Sequence, residues 1–79
     1  MNRPTFSHFP SRAALDALRA TYQPGVRVRL LRMDDPYTKL APGATGSVDS
    51  VDDAGTVHVR WDDGSTLGVV YGVDAVALI

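Results

Sequence analysis

Hydrophobic positions along this chain change their spacing once, and that change divides it into a helix and a set of strands. Leu15, Leu18 and Tyr22 fall three and four residues apart, one narrow apolar stripe on a helix of about three turns. Ser11 stands where an N-cap belongs, and Pro24-Gly25 ends the pattern. From Val26 the period drops to two. Val26, Val28 and Leu30 share one face of a first strand through Met33, and Arg27, Arg29 and Leu31 share the other. A second strand spans Thr45 to Val51, where Val48 and Val51 are three apart. A bulge near Asp49 is expected to turn both inward. A third strand, Thr56 to Trp61, points Val57, Val59 and Trp61 inward with His58 and Arg60 outward. A fourth runs from Ser65 to Tyr71 with Leu67, Val69 and Tyr71 on one face. Gly72-Val73-Asp74 reads as a single helical turn before a closing strand from Ala75 to Ile79.

Turn signals separate these strands: Asp35-Pro36, Pro42-Gly43, Ala54-Gly55 and Asp63-Gly64. Asp63-Gly64 suits a two-residue type I′ hairpin turn, in which both central residues have φ > 0. The expected fold is mainly β: a small SH3-like five-stranded antiparallel barrel with one short N-terminal α-helix. It forms a single domain, with an extended arm at residues 1–10, the helix at 11–22 and the barrel at 23–79. Phe6 and Phe9 are expected to tack the arm onto the barrel. A barrel this small is filled by its own side chains, so a ligand is expected on its exterior.

Seventy-nine residues without a cysteine must fold on their core alone or with help from a partner subunit. Cys-ligated zinc and thiol chemistry are thereby excluded. No apolar run approaches the ~20 residues of a membrane span, and none makes a signal-peptide core. A cytoplasmic protein without a membrane partner is the expectation. The net charge of −1 hides a polarity. Residues 1–32 carry six arginines against Asp16 alone, or +5, and residues 33–79 carry Lys39 and Arg60 against eight aspartates, or −6. Such asymmetry can mark a nucleic-acid-binding arm on an acidic body. The simpler expectation is that arginines of the first strand fold back onto loop aspartates. Every acid is Asp, which bonds back to its own backbone in turns.

From Tyr22 to Asp74 the chain resembles a bacterial family known only as domain of unknown function 4314. The matching pieces are Pro24-Gly25-Val-Arg-Val, Met33-Asp-Asp-Pro-Tyr-Thr-Lys-Leu40, Pro42-Gly43 with Gly46, Asp52 to Val59, Trp61-Asp-Asp-Gly-Ser-Thr-Leu-Gly68 and Gly72-Val-Asp74. The helical stretch from Ser11 to Tyr22 lies outside the resemblance. One departure is Tyr71, where family members usually carry Pro, which implies a looser geometry before Gly72. The resemblance implies a small SH3-like fold, occurrence in phage and mobile-element gene sets, and no assigned activity or catalytic residues.

Candidate chemistry is sparse. Asp34-Asp35, Asp52-Asp53 and Asp62-Asp63 are carboxylate pairs in loops, but none has the alternating spacing of a Ca²⁺ loop, and turn capping explains them better. His8 and His58 lack partners at metal-ligand or catalytic spacing. No catalytic residue, metal site or cofactor is therefore expected, and the chain is not expected to be an enzyme. Asp34, Asp35, Tyr37, Lys39, Trp61 and Tyr71 form a candidate interaction surface of loop aromatics with a polar rim. Parity places Trp61 in the core more readily than on a rim. Arg27, Arg29, His58 and Arg60 form an alternative nucleic-acid surface if their strands adjoin. The leading expectation is a non-catalytic interaction module that binds a protein partner or itself as a homodimer, because the helix stripe and the opposite charges of the two ends offer complementary contacts. Nucleic-acid binding through those arginines and the basic arm is the alternative.

Overall fold

The computed structural model describes residues 10–34 and 38–79. The expected arm, including Phe6, His8 and Phe9, therefore lies outside the described residues apart from Pro10, as do Asp35 and Tyr37.

The helix, α1 (Arg12–Thr21), starts where its cap predicts: the Ser11 hydroxyl accepts a hydrogen bond from the Ala14 N–H at 3.1 Å. No residue of α1 is fully buried. Leu15, Leu18 and Tyr22 are half-buried, so the stripe is turned toward its own domain. Arg19 fastens the helix by donating to the Val51 carbonyl at 3.2 Å and to Asp53 Oδ1 at 2.7 Å.

Five strands follow: β1 (Arg27–Arg32), β2 (Thr45–Val51), β3 (Thr56–Trp61), β4 (Gly68–Val70) and β5 (Ala75–Leu78). They form one antiparallel sheet in the order β4-β3-β2-β1-β5. The mainly β architecture agrees with the alternation in the sequence. The β2–β3 register shifts between Val48 and Ser50, which is the bulge expected near Asp49. A second shift, between Leu30 and Arg32, bends β1 against β5. The curled sheet packs Val28, Leu30, Val48, Val57, Val59, Trp61 and Val69 into one core. Each such side chain contributes roughly 1.5–3 kcal/mol relative to leaving it in water.

Four local expectations change. The sheet is not closed into a cylinder by hydrogen bonds, because β4 and β5 are its two edges. Only a short turn brings those edges near each other. The hairpin between β3 and β4 is not type I′, since no residue other than glycine has positive φ among the described residues. Gly64 N–H donates to the Trp61 carbonyl at 2.9 Å, and Gly64 alone is left-handed, at φ 96°. This is a type I turn followed by a left-handed residue, the three-residue hairpin solution. β4 begins at Gly68 rather than Ser65, and Tyr71 falls beyond its end, 46% exposed instead of inward. Gly72-Val73-Asp74 is not a helical turn either: Gly72 has φ 81°, and Val73 N–H donates to the Val70 carbonyl at 3.1 Å. Those features match a type II turn with Tyr71 in the position where Pro is common.

Candidate interaction surface

Two Asp-Asp-containing turns organise the charged residues. In the first, Asp52 Oδ1 accepts from Ala54 N–H at 3.0 Å and from Thr56 N–H at 2.9 Å. Its other oxygen lies 2.9 Å from His58 Nε2. The His58 contact first, and then the backbone donors, hold the Asp52 carboxyl below its usual range. In the second, Asp63 Oδ1 accepts from Ser65 N–H at 2.8 Å, and this backbone donor is the main cause of its lowered pKa. Asp62 reaches across the sheet instead. It takes two hydrogen bonds from the Arg27 guanidinium, at 2.8 and 2.6 Å, and one from the Thr45 hydroxyl at 2.6 Å. Arg27 and then Thr45 hold Asp62 well below the carboxylate range, and Asp62 in turn raises Arg27. Asp74 spans the turn after β4, with its two oxygens accepting from Asp34 N–H at 2.7 Å and Val70 N–H at 2.9 Å.

The candidate surface residues do not converge. Lys39 lies on the loop between β1 and β2, shaped by a 3.1 Å bond from Leu40 N–H to the Thr38 hydroxyl. This loop faces the β3–β4 turn across an open groove. One part, about 300 Å³, is bounded by Lys39, Leu40, Pro42, Ala44, Trp61 and Asp62, and the adjoining part, about 490 Å³, by Thr38, Leu40, Asp63, Ser65 and Leu67. Leu40, Ala44 and Leu67 are partly buried against the core and form an apolar floor, with Lys39, Asp62 and Asp63 on the rim. Trp61 belongs to the core beneath this groove. It is 3% exposed, and its indole N–H donates to the Leu67 carbonyl at 2.8 Å, so it is not the exposed contact residue of the candidate surface. Tyr71 sits elsewhere, beside a separate cleft lined by Leu18, Tyr22, Val57, Val69 and Val76. Asp34 is engaged with Asp74 through its backbone.

Sequence reasoning did not single out Leu40, Ala44, Ser65 or Leu67 as groove residues. Leu67 alternates with Val69, so its pattern reads only as core. Ser65 carries the clearest missed signal: its hydroxyl is buried in the groove wall without a hydrogen-bond partner. It stands near the Asp63 carboxylate and favours its charged form, but not at hydrogen-bonding geometry. No pattern in the sequence announces an unsatisfied hydroxyl.

The alternative surface is partly assembled. Register places Arg27 opposite Ser47 and Ser47 opposite Arg60, one row across the outer face of three strands, with Arg29 opposite Thr45 in the next row. Arg27, however, is bound to Asp62, as the simpler reading of the charge polarity expects, and His58 is tied to Asp52. Arg29 and Arg60 have no acidic partner among the described residues. Among those residues no three His, Asp or Glu side chains gather where a cation could sit.

A family model described as domain of unknown function (DUF4314) matches residues 11–79. The chain belongs to this family. Its match begins at Ser11, so α1, which precedes the Tyr22–Asp74 stretch of the resemblance, is part of the family domain. No curated protein and no solved structure matches the chain. No helix among the described residues is long and apolar enough to cross a membrane.

Proposed function

We propose that this domain is a non-catalytic interaction module that holds a segment of a protein partner in the groove between residues 38–44 and the β3–β4 turn. The carrying observation is the groove's make-up: an apolar floor of Leu40, Ala44 and Leu67 over Trp61, rimmed by Lys39, Asp62 and Asp63. Such a floor with a polar rim is the anatomy of a protein-binding patch. The loop carboxylates support the non-catalytic reading, because Asp52, Asp62, Asp63 and Asp74 are each engaged in holding turns or strands. The strand order, with β5 returning to pair β1 after a short turn, supports an SH3-like classification. A cytoplasmic setting and an origin in phage or mobile-element gene sets belong to the same proposal.

The test is affinity capture from the native host with three folded versions of the domain. Leu40→Arg fills the groove floor with a charge, and the double variant Arg29→Glu/Arg60→Glu reverses the outer face. Loss of a captured protein on Leu40→Arg, with retention on the double variant, is expected. The opposite pattern, with binding to DNA or RNA that weakens steeply with salt, overturns the groove reading in favour of nucleic acid.

A further inference from the structure

The two edges of the sheet are finished differently. On β4, Tyr71 N–H donates to the Gly55 carbonyl on the β3 side, which leaves the Val70 N–H facing outward. The Asp74 carboxylate takes that outward donor at 2.9 Å. The β4 edge is thus short and plugged by a charge, two of the ordinary devices that keep a sheet from adding strands.

The β5 edge, four residues against three, has no such plug. Ile79 N–H donates to the Arg27 carbonyl, and the register pairs Arg29 with Ala77 and Val28 with Leu78. Alternation along an antiparallel ladder then turns the Val76 and Leu78 backbone groups away from β1, off the rim of the sheet. Among the described residues neither N–H finds an acceptor. The strand reads Ala-Val-Ala-Leu and is followed by Ile79, with no charged side chain and no proline, and Leu78 and Ile79 are 53% and 55% exposed. Such a rim is a template for another strand.

We propose that β5 pairs with β5 of a second copy of this chain, antiparallel about a two-fold axis, to join two sheets into one. Two observations select a second copy. The strand is uncharged, so its own sequence meets it without an unpaired charge entering the interface. Its two ends also differ in electrostatic character. Asp34 and Asp74 with Arg32 flank the start of β5, while Arg27, Arg29 and Asp62 flank its later half. Antiparallel alignment sets the acidic end of one copy beside the basic part of the other. The helix stripe is turned to its own domain, so self-association runs through the sheet edge rather than through α1. This inference is independent of the groove.

Sedimentation equilibrium over a wide concentration range tests it, beside Leu78→Pro and Leu78→Lys. The proline removes an outward N–H that β1 does not use, and the lysine puts a charge on the rim. Wild type is expected to rise from the 8.5 kDa monomer toward twice that mass, with the Val76 and Leu78 amides gaining hydrogen-exchange protection as concentration rises. Either variant, with an unchanged circular dichroism spectrum, is expected to weaken the dimer at least tenfold, whereas Leu40→Arg leaves it intact. If Leu78→Pro does not fold, Leu78→Lys alone carries the comparison. A wild type that stays monomeric at millimolar concentration, or folded variants that dimerise as well as wild type, overturns the proposal. So does protection of those amides only when a different protein is added.

Discussion

The turns at residues 52–55 and 61–64 contain the same dipeptide, Asp-Asp, yet assign its two carboxylates in opposite order. In the first, Asp52 caps the turn and Asp53 reaches out to Arg19 of the helix. In the second, Asp62 reaches out to Arg27 and Asp63 caps. The placement of glycine explains the reversal. Both turns are the same three-residue hairpin, but Asp-Asp enters one position earlier in the first, so Asp52 stands at the foot of the loop, three residues before Gly55, and can gather its N–H groups. Gly64 follows Asp63 directly, so only the second carboxylate is placed to cap Ser65. Each pair thus supplies one local and one long-range interaction. One ties the helix to the sheet, and the other ties β3 to β1.

The largest test of this comparison removes the residue on which the second turn is built. Trp61→Ala empties the core beneath it and forfeits the bond to Leu67, with an expected loss of about 3–5 kcal/mol in urea denaturation. The two left-handed glycines give the next contrast. A Cβ on Gly55 meets Pro10 Cγ at 2.9 Å and Tyr71 Cβ at 3.3 Å, while one on Gly64 meets nothing within 4 Å. Gly55→Ala is expected to cost about 2–4 kcal/mol, backbone strain plus crowding, and Gly64→Ala about 1–2 kcal/mol, strain alone. Equal losses measured by denaturation would show that strain alone sets both. Asp52→Ala gives up two backbone bonds and the His58 contact on a half-exposed side chain, an expected loss of about 1–2 kcal/mol. Asp53→Ala, which removes a side chain almost wholly in water, is expected to change stability by at most about 1 kcal/mol.

Acid acts on both turns together. Asp52, Asp62 and Asp63 all have folded pKa values below their unfolded ones. Their stabilisation is complete above the unfolded value near 4 and is lost as pH falls below it toward the folded values. The melting temperature is therefore expected to be level with respect to these groups above about pH 5 and to fall below about pH 4. Asp52→Asn is expected to flatten part of that fall, and an acid limb as steep as wild type in the variant would remove Asp52 from the account.

Much of the fold was legible before any coordinates. Ser11 capped its helix, β2 kept its predicted bounds, the bulge fell beside Asp49, and Val57, Val59 and Trp61 went inward. These features depend on period and on residues that act within a few positions of themselves. The type I′ turn failed because Asp63 keeps negative φ, so the hairpin needed one more residue; β4 is also shorter than its pattern, and Tyr71 lies in the turn that follows it. The candidate surface was harder to read. Lys39 did reach a groove, but its floor is made by Leu40 and Leu67, whose apolar character in sequence signals only burial. Trp61 shows the same ambiguity resolved the other way.

By itself the sequence determined the local elements: one capped helix, then alternating runs cut by glycine, proline and aspartate into an antiparallel set. It also indicated that loop aspartates would cap turns, as Asp52 and Asp63 do, since Asp is short enough to reach its own backbone. Only the tertiary structure decided which arginine met which aspartate, which sheet edge was plugged and which was left open, and that a loop and a turn far apart in the chain enclose one groove. Those outcomes depend on register and curl across strands, and alternation within any single strand carries no record of its neighbours.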